Sequence, residues 1–315
     1  MKIAVLDTCT ITKGDVALDE ISALGEVLYF DDMPTDNFDE TVGDADAVIC
    51  NKANLNREFI DRCKKLKYIG LFATGYNNID IAYAKEKGIS VANVPGYSTH
   101  SVAQLTFSMI LAISGSLVDY VNSIRNGGWI KSPTFSYFSY PIFELRGKTL
   151  GVFGYGDIGS EVAKLGRAFG MNVIVSTRTP SKCTEFPCVS REELFRKSDF
   201  LTLHAPLTPE TERMVNRETL SLMKKSAFLI NTSRGGAVDE KALADALNEG
   251  RIAGAGIDVL TREPMDEGNP LMTAKNCIMT PHIAWAPIET RRRLITLVAE
   301  NLKAFMDGNP KNIVN

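Results

Sequence analysis

Short apolar runs alternate with stretches of helical spacing along nearly the whole chain. Residues 3–6, 27–30, 47–50, 68–72 and 91–94 are runs of four or five residues rich in β-branched and aromatic side chains, which predicts buried strands. Between them, residues 15–24, 57–64 and 79–87 carry a helical pattern, and Gly88 is placed to cap the last of these. Such alternation predicts a parallel sheet with helices on both faces. The pattern breaks at residues 93–99, where Pro95 and Gly96 mark a turn. A long apolar helix follows through Val102, Leu105, Met109, Ile110 and Ile113, and Ser101 with Gln104 has capping-box spacing at its start. Further strand-like runs lie at 150–153, 172–176, 200–203, 227–230, 254–257 and 277–279, separated by helices such as 161–169 and 240–248. After Pro287, residues 289–306 form one more helical pattern, stopped by Gly308 and Pro310. A lone helix after a complete domain needs a surface, so it is expected to return to the first domain. The expectation is an α/β chain of two Rossmann-like, doubly wound domains around a hinged cleft. The first is flavodoxin-like and discontinuous (1–98 with 287–315), and the second spans 99–286.

One turn in the second domain has the spacing of a phosphate site. The run at 150–153 is followed by Gly154, Gly156 and Gly159, a G-x-G-x-x-G pattern, and then by a helix. Gly154 permits the turn, Gly156 lets backbone approach a pyrophosphate, and Gly159 lets the helix pack on the strand. The helix N-terminus supplies N–H donors and a partial positive charge for phosphate, and Asp157 and Ile158, within the turn, are expected to bind the cofactor with the glycines. About twenty residues past the glycines, where a carboxylate would grip the ribose of NAD, stand Thr177 and Arg178. A missing carboxylate beside an arginine leans toward accepting the 2′-phosphate of NADP; the alternative is a solvated arginine, with NAD held by other contacts. In the first domain, Thr74 and Gly75 lie in a loop after a strand, where open α/β sheets bind ligands. Backbone N–H groups there can meet a small anion, unless Gly75 is only a turn glycine.

Composition narrows the class of partner. The chain has 315 residues, 44% hydrophobic and 23% charged, enough for two packed cores. A net charge of −3 without a basic block argues against nucleic acid. No apolar run has the length of a membrane span and no signal segment opens the chain, so a soluble cytoplasmic protein is expected. The six cysteines are scattered; Cys183 and Cys188 are the closest pair, with no second pair or histidine to complete a zinc set. Free thiols and no metal site are expected. Residues 127–146 are crowded with aromatics, which points either to a subunit interface or to a loop folded over its own domain.

Chemistry near neutral pH has few candidates, because the only histidines are His100, His204 and His282. His282, Glu263 and Arg234 each lie just past a predicted strand of one sheet, on the edge that carries the glycine turn. Arg234 can hold a carboxylate with two parallel hydrogen bonds. Glu263 can accept from one nitrogen of His282 and fix its tautomer, leaving His282 to protonate a developing alkoxide. Each alone has a plainer reading: a surface arginine, a helix-start glutamate, a buried and satisfied histidine.

These segments together resemble the D-isomer-specific 2-hydroxyacid dehydrogenases along nearly the whole chain. The matching stretches are 73–80, 93–104, 151–159, 203–206 with Thr211, 230–235, 256–264 and 280–284. The stretches at 93–99 and 282–285 are more narrowly similar to the glycerate dehydrogenase, or hydroxypyruvate reductase, branch. The resemblance implies that Arg234, Glu263 and His282 are the catalytic set and that Asp258 contacts the nicotinamide amide. It assigns His204, Ala205, Pro206, Thr211, Thr232 and Ser233 to the cofactor, and Thr74 and Gly75 to the substrate carboxylate. It further implies NAD(H) or NADP(H) as cofactor, a small 2-oxo or 2-hydroxy acid as substrate, and a homodimer. Gln104 stands where many members have glutamate. The alternative is a non-enzymatic, dinucleotide-sensing regulator like the corepressors of this fold, which would need none of the Arg–Glu–His set. Formate dehydrogenases pair their histidine with glutamine, where Glu263 stands here.

Overall fold

A computed structural model describes every residue except Thr35. The chain divides into two compact units, Met1–Tyr97 with Ala286–Asn315, and Ser98–Trp285. Each is built on its own all-parallel sheet, and the fold is α/β throughout.

The first unit carries β1 (Lys2–Val5), β2 (Glu26–Tyr29), β3 (Ala47–Cys50), β4 (Tyr68–Leu71) and β5 (Ser90–Ala92) in the order β2-β1-β3-β4-β5. This is the flavodoxin-like order. Strands β3 and β4 are buried at every position, as expected of central strands covered on both faces, which is why they read as unbroken apolar runs. The helix Ile288–Met306 belongs to this unit. It buries Leu294, Val298 and Leu302 and sets Phe305 against Tyr68, ring centroids 4.9 Å apart. Beyond it, Ile313 makes an antiparallel bridge with Ala92, so the last residues cover the β5 edge. The helix expected over 15–24 shrinks to Asp19–Ser22. Two sets of contacts explain it: the Thr12 hydroxyl accepts from Gly14 N–H (3.0 Å) and Val16 N–H (3.2 Å), and Asp15 is drawn to Arg291 instead of the helix.

The second unit carries β6 (Thr149–Phe153), β7 (Asn172–Ser176), β8 (Phe200–Leu203), β9 (Phe228–Asn231), β10 (Gly254–Ile257) and β11 (Cys277–Met279), ordered β11-β10-β9-β8-β6-β7. Beside β7 a single parallel bridge joins Val175 to Cys188. Counting that bridge as a vestigial strand restores the 3-2-1-4-5-6 order of dinucleotide folds. The order reverses between β6 and β8, the place where open α/β sheets bind ligands. The helix Thr99–Ser114 packs on β9 and β10. Gly256 permits that approach, since a Cβ there would lie 3.0 Å from the Met109 sulfur. The capping box expected of Ser101 and Gln104 does not form: the helix starts two residues earlier, and Ser101 Oγ donates to the Ser98 carbonyl at 3.0 Å. Among the described residues no single helix is long and apolar enough to cross a membrane, and no group of three or more metal-ligating side chains gathers.

Candidate active site

The glycine turn joins β6 directly to the helix Asp157–Ala168, four residues longer at its start than the sequence pattern indicated. Each glycine has its own reason. Gly154 has φ +91°, and a Cβ there would meet the His204 and Ala205 backbone at 2.8 Å. At Gly159 a Cβ would lie 2.0 Å from the Gly154 carbonyl. Gly156 differs, because a Cβ there would meet nothing within 4 Å. Nothing in the protein itself demands glycine at that position; the space beside the helix start does. Gly156 is also the N-cap and offers no side chain, so the first-turn N–H groups of Asp157 and Ile158 have no side-chain cap. An uncapped helix start facing open space fits a pyrophosphate.

A second observation points the same way. His204, at the end of β8, is only half-buried as a residue, yet both ring nitrogens are out of solvent and without a hydrogen-bond partner among the described residues. Burial pushes the imidazole down to about 3, so the ring is neutral. Ala205 and Pro206 continue from it, and the Thr211 hydroxyl folds the following loop by donating to the Pro206 carbonyl at 2.8 Å. Thr177 and Arg178 leave the end of β7; Arg178 is exposed and lies close enough to Glu210 to help hold its carboxyl below the ordinary value, after hydrogen bonds from Thr208 and the backbone.

Three neighbouring strands deliver the titratable groups. Arg234 follows β9, Glu263 follows β10 and His282 follows β11. Glu263 Oε2 lies 2.7 Å from His282 Nδ1, and Glu263 Oε1 accepts from Leu260 N–H at 2.9 Å. A carboxylate accepts, so Nδ1 carries the proton and Nε2 is left for other work. Gly235 brings the Arg234 turn against this loop: a Cβ there would lie 1.9 Å from the Leu260 carbonyl carbon. Arg234 itself is exposed, with Nη1 donating to the Ser233 carbonyl at 2.8 Å.

Behind these groups lies a layer of buried hydrogen bonds in which Asp258 and Thr232, assigned to the cofactor by resemblance, meet Asn231 and Thr106, which the sequence did not single out. Buried Asp258 accepts from the Thr280 hydroxyl (2.6 Å) and from the N–H groups of Ile283 (2.9 Å) and Ala284 (3.0 Å). Its main chain takes His282 N–H at 2.8 Å. Together they hold His282 at φ 54°, in the left-handed region. Burial raises the Asp258 carboxyl, while the same three hydrogen bonds favour its anion. Asn231, fully buried, plays the matching part for Arg234: its side chain accepts from Ser233 and donates to the Arg234 carbonyl at 3.0 Å. Thr232 shares a hydrogen bond with Thr106 at 2.9 Å. A polar residue closing an apolar strand was the available signal for Asn231; for Thr106, inside a helix, there was none. In the first unit, Thr74 Oγ1 donates to the Val94 carbonyl at 2.8 Å, so the loop at Thr74 and Gly75 is tied by side chain and offers backbone N–H. His100 lies outside the catalytic group, with Nδ1 3.3 Å from Glu161.

A family model for the D-isomer specific 2-hydroxyacid dehydrogenase NAD binding domain matches residues 107–284. A hydroxypyruvate reductase of Blautia hydrogenotrophica is 41% identical over 321 aligned residues, covering 100% of both chains. The D-lactate dehydrogenase of Aquifex aeolicus, solved with NAD and lactic acid, is 31% identical with a TM-score of 0.83, over 98% of this chain and 96% of that one. An NADPH-dependent glyoxylate/hydroxypyruvate reductase of Sinorhizobium meliloti, solved with citrate, is 29% identical with a TM-score of 0.85, over 99% of this chain and 97% of that one.

Proposed function

Because this chain belongs to the D-isomer specific 2-hydroxyacid dehydrogenase family, we propose that it reduces hydroxypyruvate, and secondarily glyoxylate, to D-glycerate and glycolate with NADPH or NADH, reversibly. The observation that carries the proton chemistry is the 2.7 Å contact between Glu263 and His282 Nδ1. When bound, the reduced nicotinamide supplies the hydride that reaches the 2-oxo carbon. Arg234 pairs with the substrate carboxylate, and Thr74 and Gly75 are assigned to that carboxylate by their sequence match. His282 Nε2–H gives its proton to the oxygen that becomes the hydroxyl, and Glu263 stabilises and orients the imidazolium until it is transferred. Asp258 keeps its assignment to the nicotinamide amide beside its role in the His282 turn. The glycine turn, His204–Pro206, Thr211, Thr232 and Ser233 line the dinucleotide.

Thr177 and Arg178 favour acceptance of NADPH, since the arginine can meet a 2′-phosphate and positions 177 and 178 lack the carboxylate that would grip the ribose hydroxyls of NAD. The test is a panel of initial rates: small 2-oxo acids, each with NADH and NADPH, followed at the reduced-nicotinamide absorbance. Hydroxypyruvate should give the highest kcat/KM, and Arg178→Ala should raise the KM for NADPH about tenfold while leaving NADH nearly unchanged. His282→Ala should lower kcat by roughly 10²–10⁴. Near wild-type turnover in that variant would remove His282 as the proton donor.

The same reading includes a homodimer. The helix Leu117–Arg125 buries none of its residues, although Leu117, Val118, Val121 and Ile124 are apolar. Next to it the arm displays Phe135 and Phe138, 91% and 82% exposed. A recess of about 790 Å³ on the same unit, lined by Val118, Phe143, Phe228 and Leu247 among others, offers protruding rings a place to dock. A protrusion and a recess on one surface complement each other when two copies meet about a two-fold axis. A reducing, cytoplasmic setting suits the six free cysteines.

A further inference from the structure

We propose that Cys183 and Cys188 form a reversible oxidation site, in which a hydroperoxide converts the two thiols to an intrachain disulfide and so weakens dinucleotide binding. The segment from Thr177 to Cys188 leaves the end of β7 and comes back to it. It opens with Thr177 and Arg178, turns through Pro180–Lys182, and ends where Cys188 bridges Val175. That path folds the two cysteines onto one spot. Cys183 Sγ lies 3.5 Å from the Phe186 carbonyl, and Cys188 Sγ lies 4.0 Å from the carbonyls of Pro180 and of Cys183 itself.

The pair is divided by access. Cys188 is exposed and Cys183 is buried. Burial and the neighbouring Cys188 push the Cys183 thiol up to about 11, so it stays protonated near neutral pH and Cys188 meets the oxidant first. The Cys188 thiolate attacks the peroxide oxygen, the O–O bond breaks, and water leaves with a proton as the sulfenic acid forms. The Cys183 sulfur then attacks the sulfenic sulfur, its proton leaves with the hydroxyl as a second water, and the S–S bond closes. Two thiols lose two electrons and two protons; one hydrogen peroxide becomes two waters.

The pair also touches the dinucleotide turn. Tyr155 is the residue between Gly154 and Gly156, at the centre of the turn. Phe186, within the segment closed by the two cysteines, meets the Tyr155 ring edge-on with centroids 6.2 Å apart. Arg178 sits two residues before the turn at Pro180. Closing the disulfide re-ties the stretch that holds Phe186 against Tyr155 and that continues from Arg178, so both the phosphate turn and the ribose end are disturbed together.

The experiment uses the full chain, reduced or treated with hydrogen peroxide, with non-reducing peptide mass mapping and calorimetric titration of NADPH and NADH. Expected are a linked Cys183–Cys188 peptide, a dissociation constant raised by at least about threefold, and recovery with dithiothreitol. Cys188→Ser, an exposed position, should fold, bind within about twofold of the reduced wild type and lose the response to peroxide. A disulfide that leaves binding unchanged, oxidation confined to other cysteines, or a full response in Cys188→Ser would each overturn the proposal. Because the readout is dinucleotide affinity, it does not depend on which 2-oxo acid is reduced.

Discussion

His282 presents its ring to Glu263 from a left-handed backbone conformation that a non-glycine residue adopts only when its surroundings insist. The insistence comes from Asp258, twenty-four positions earlier in the chain, through bonds to Thr280, Ile283 and Ala284. Of this arrangement the sequence announced the members, His282, Glu263 and Asp258, and assigned Asp258 to the cofactor. It did not announce the clamp, because the clamp exists only after two strands are paired in register. His204 gives a different kind of test. Its ring is held neutral in the fold, with a folded value of about 3 against an ordinary 6.5. As pH falls through 6.5 the unfolded chain takes up the proton and the folded chain does not, so stability is lost progressively from there down to about 3. Between pH 7.5 and 5 this costs about 2 kcal/mol. Denaturant unfolding of the dinucleotide-free protein at those two pH values should show that increment in the wild type and not in His204→Gln.

At the scale of elements, the glycine turn separates what holds the fold from what admits a ligand. Gly159→Ala places a methyl 2.0 Å from the Gly154 carbonyl and must push the helix Asp157–Ala168 off β6. Thermal unfolding should register a loss of roughly 1–3 kcal/mol. Gly156→Ala meets open space, so stability should stay within about 1 kcal/mol while calorimetry finds dinucleotide affinity down about tenfold or more. Equal destabilisation of the two variants would deny Gly156 its ligand role. Fully buried strands such as β3, β4 and β8 were legible because an unbroken apolar run bounded by turn residues has few other solutions. The loop at residues 12–16 and the bridges at Cys188 and Ile313 were not. The first is decided by the Arg291–Asp15 pair, 276 residues apart in the chain, and the others are single bridges with no periodicity to read.

For the molecule as a whole, the apolar face of the helix Leu117–Arg125 makes self-association measurable. Val121→Glu puts a charge among Leu117, Val118 and Ile124, and should turn a dimer into a monomer by light scattering, with little change in monomer fold. A wild-type monomer at micromolar concentration would end the dimer reading. The two sheets also end in a way that bears on behaviour under stress. β11 spans three residues, the far side of β7 meets only the bridge at Cys188, and β5 is covered by Ile313. Edges so brief or already paired, three of the four, give a stray strand few N–H and C=O groups in a row to add to, which leaves the four-residue β2 as the edge where strand addition, the first step toward fibrils, would start.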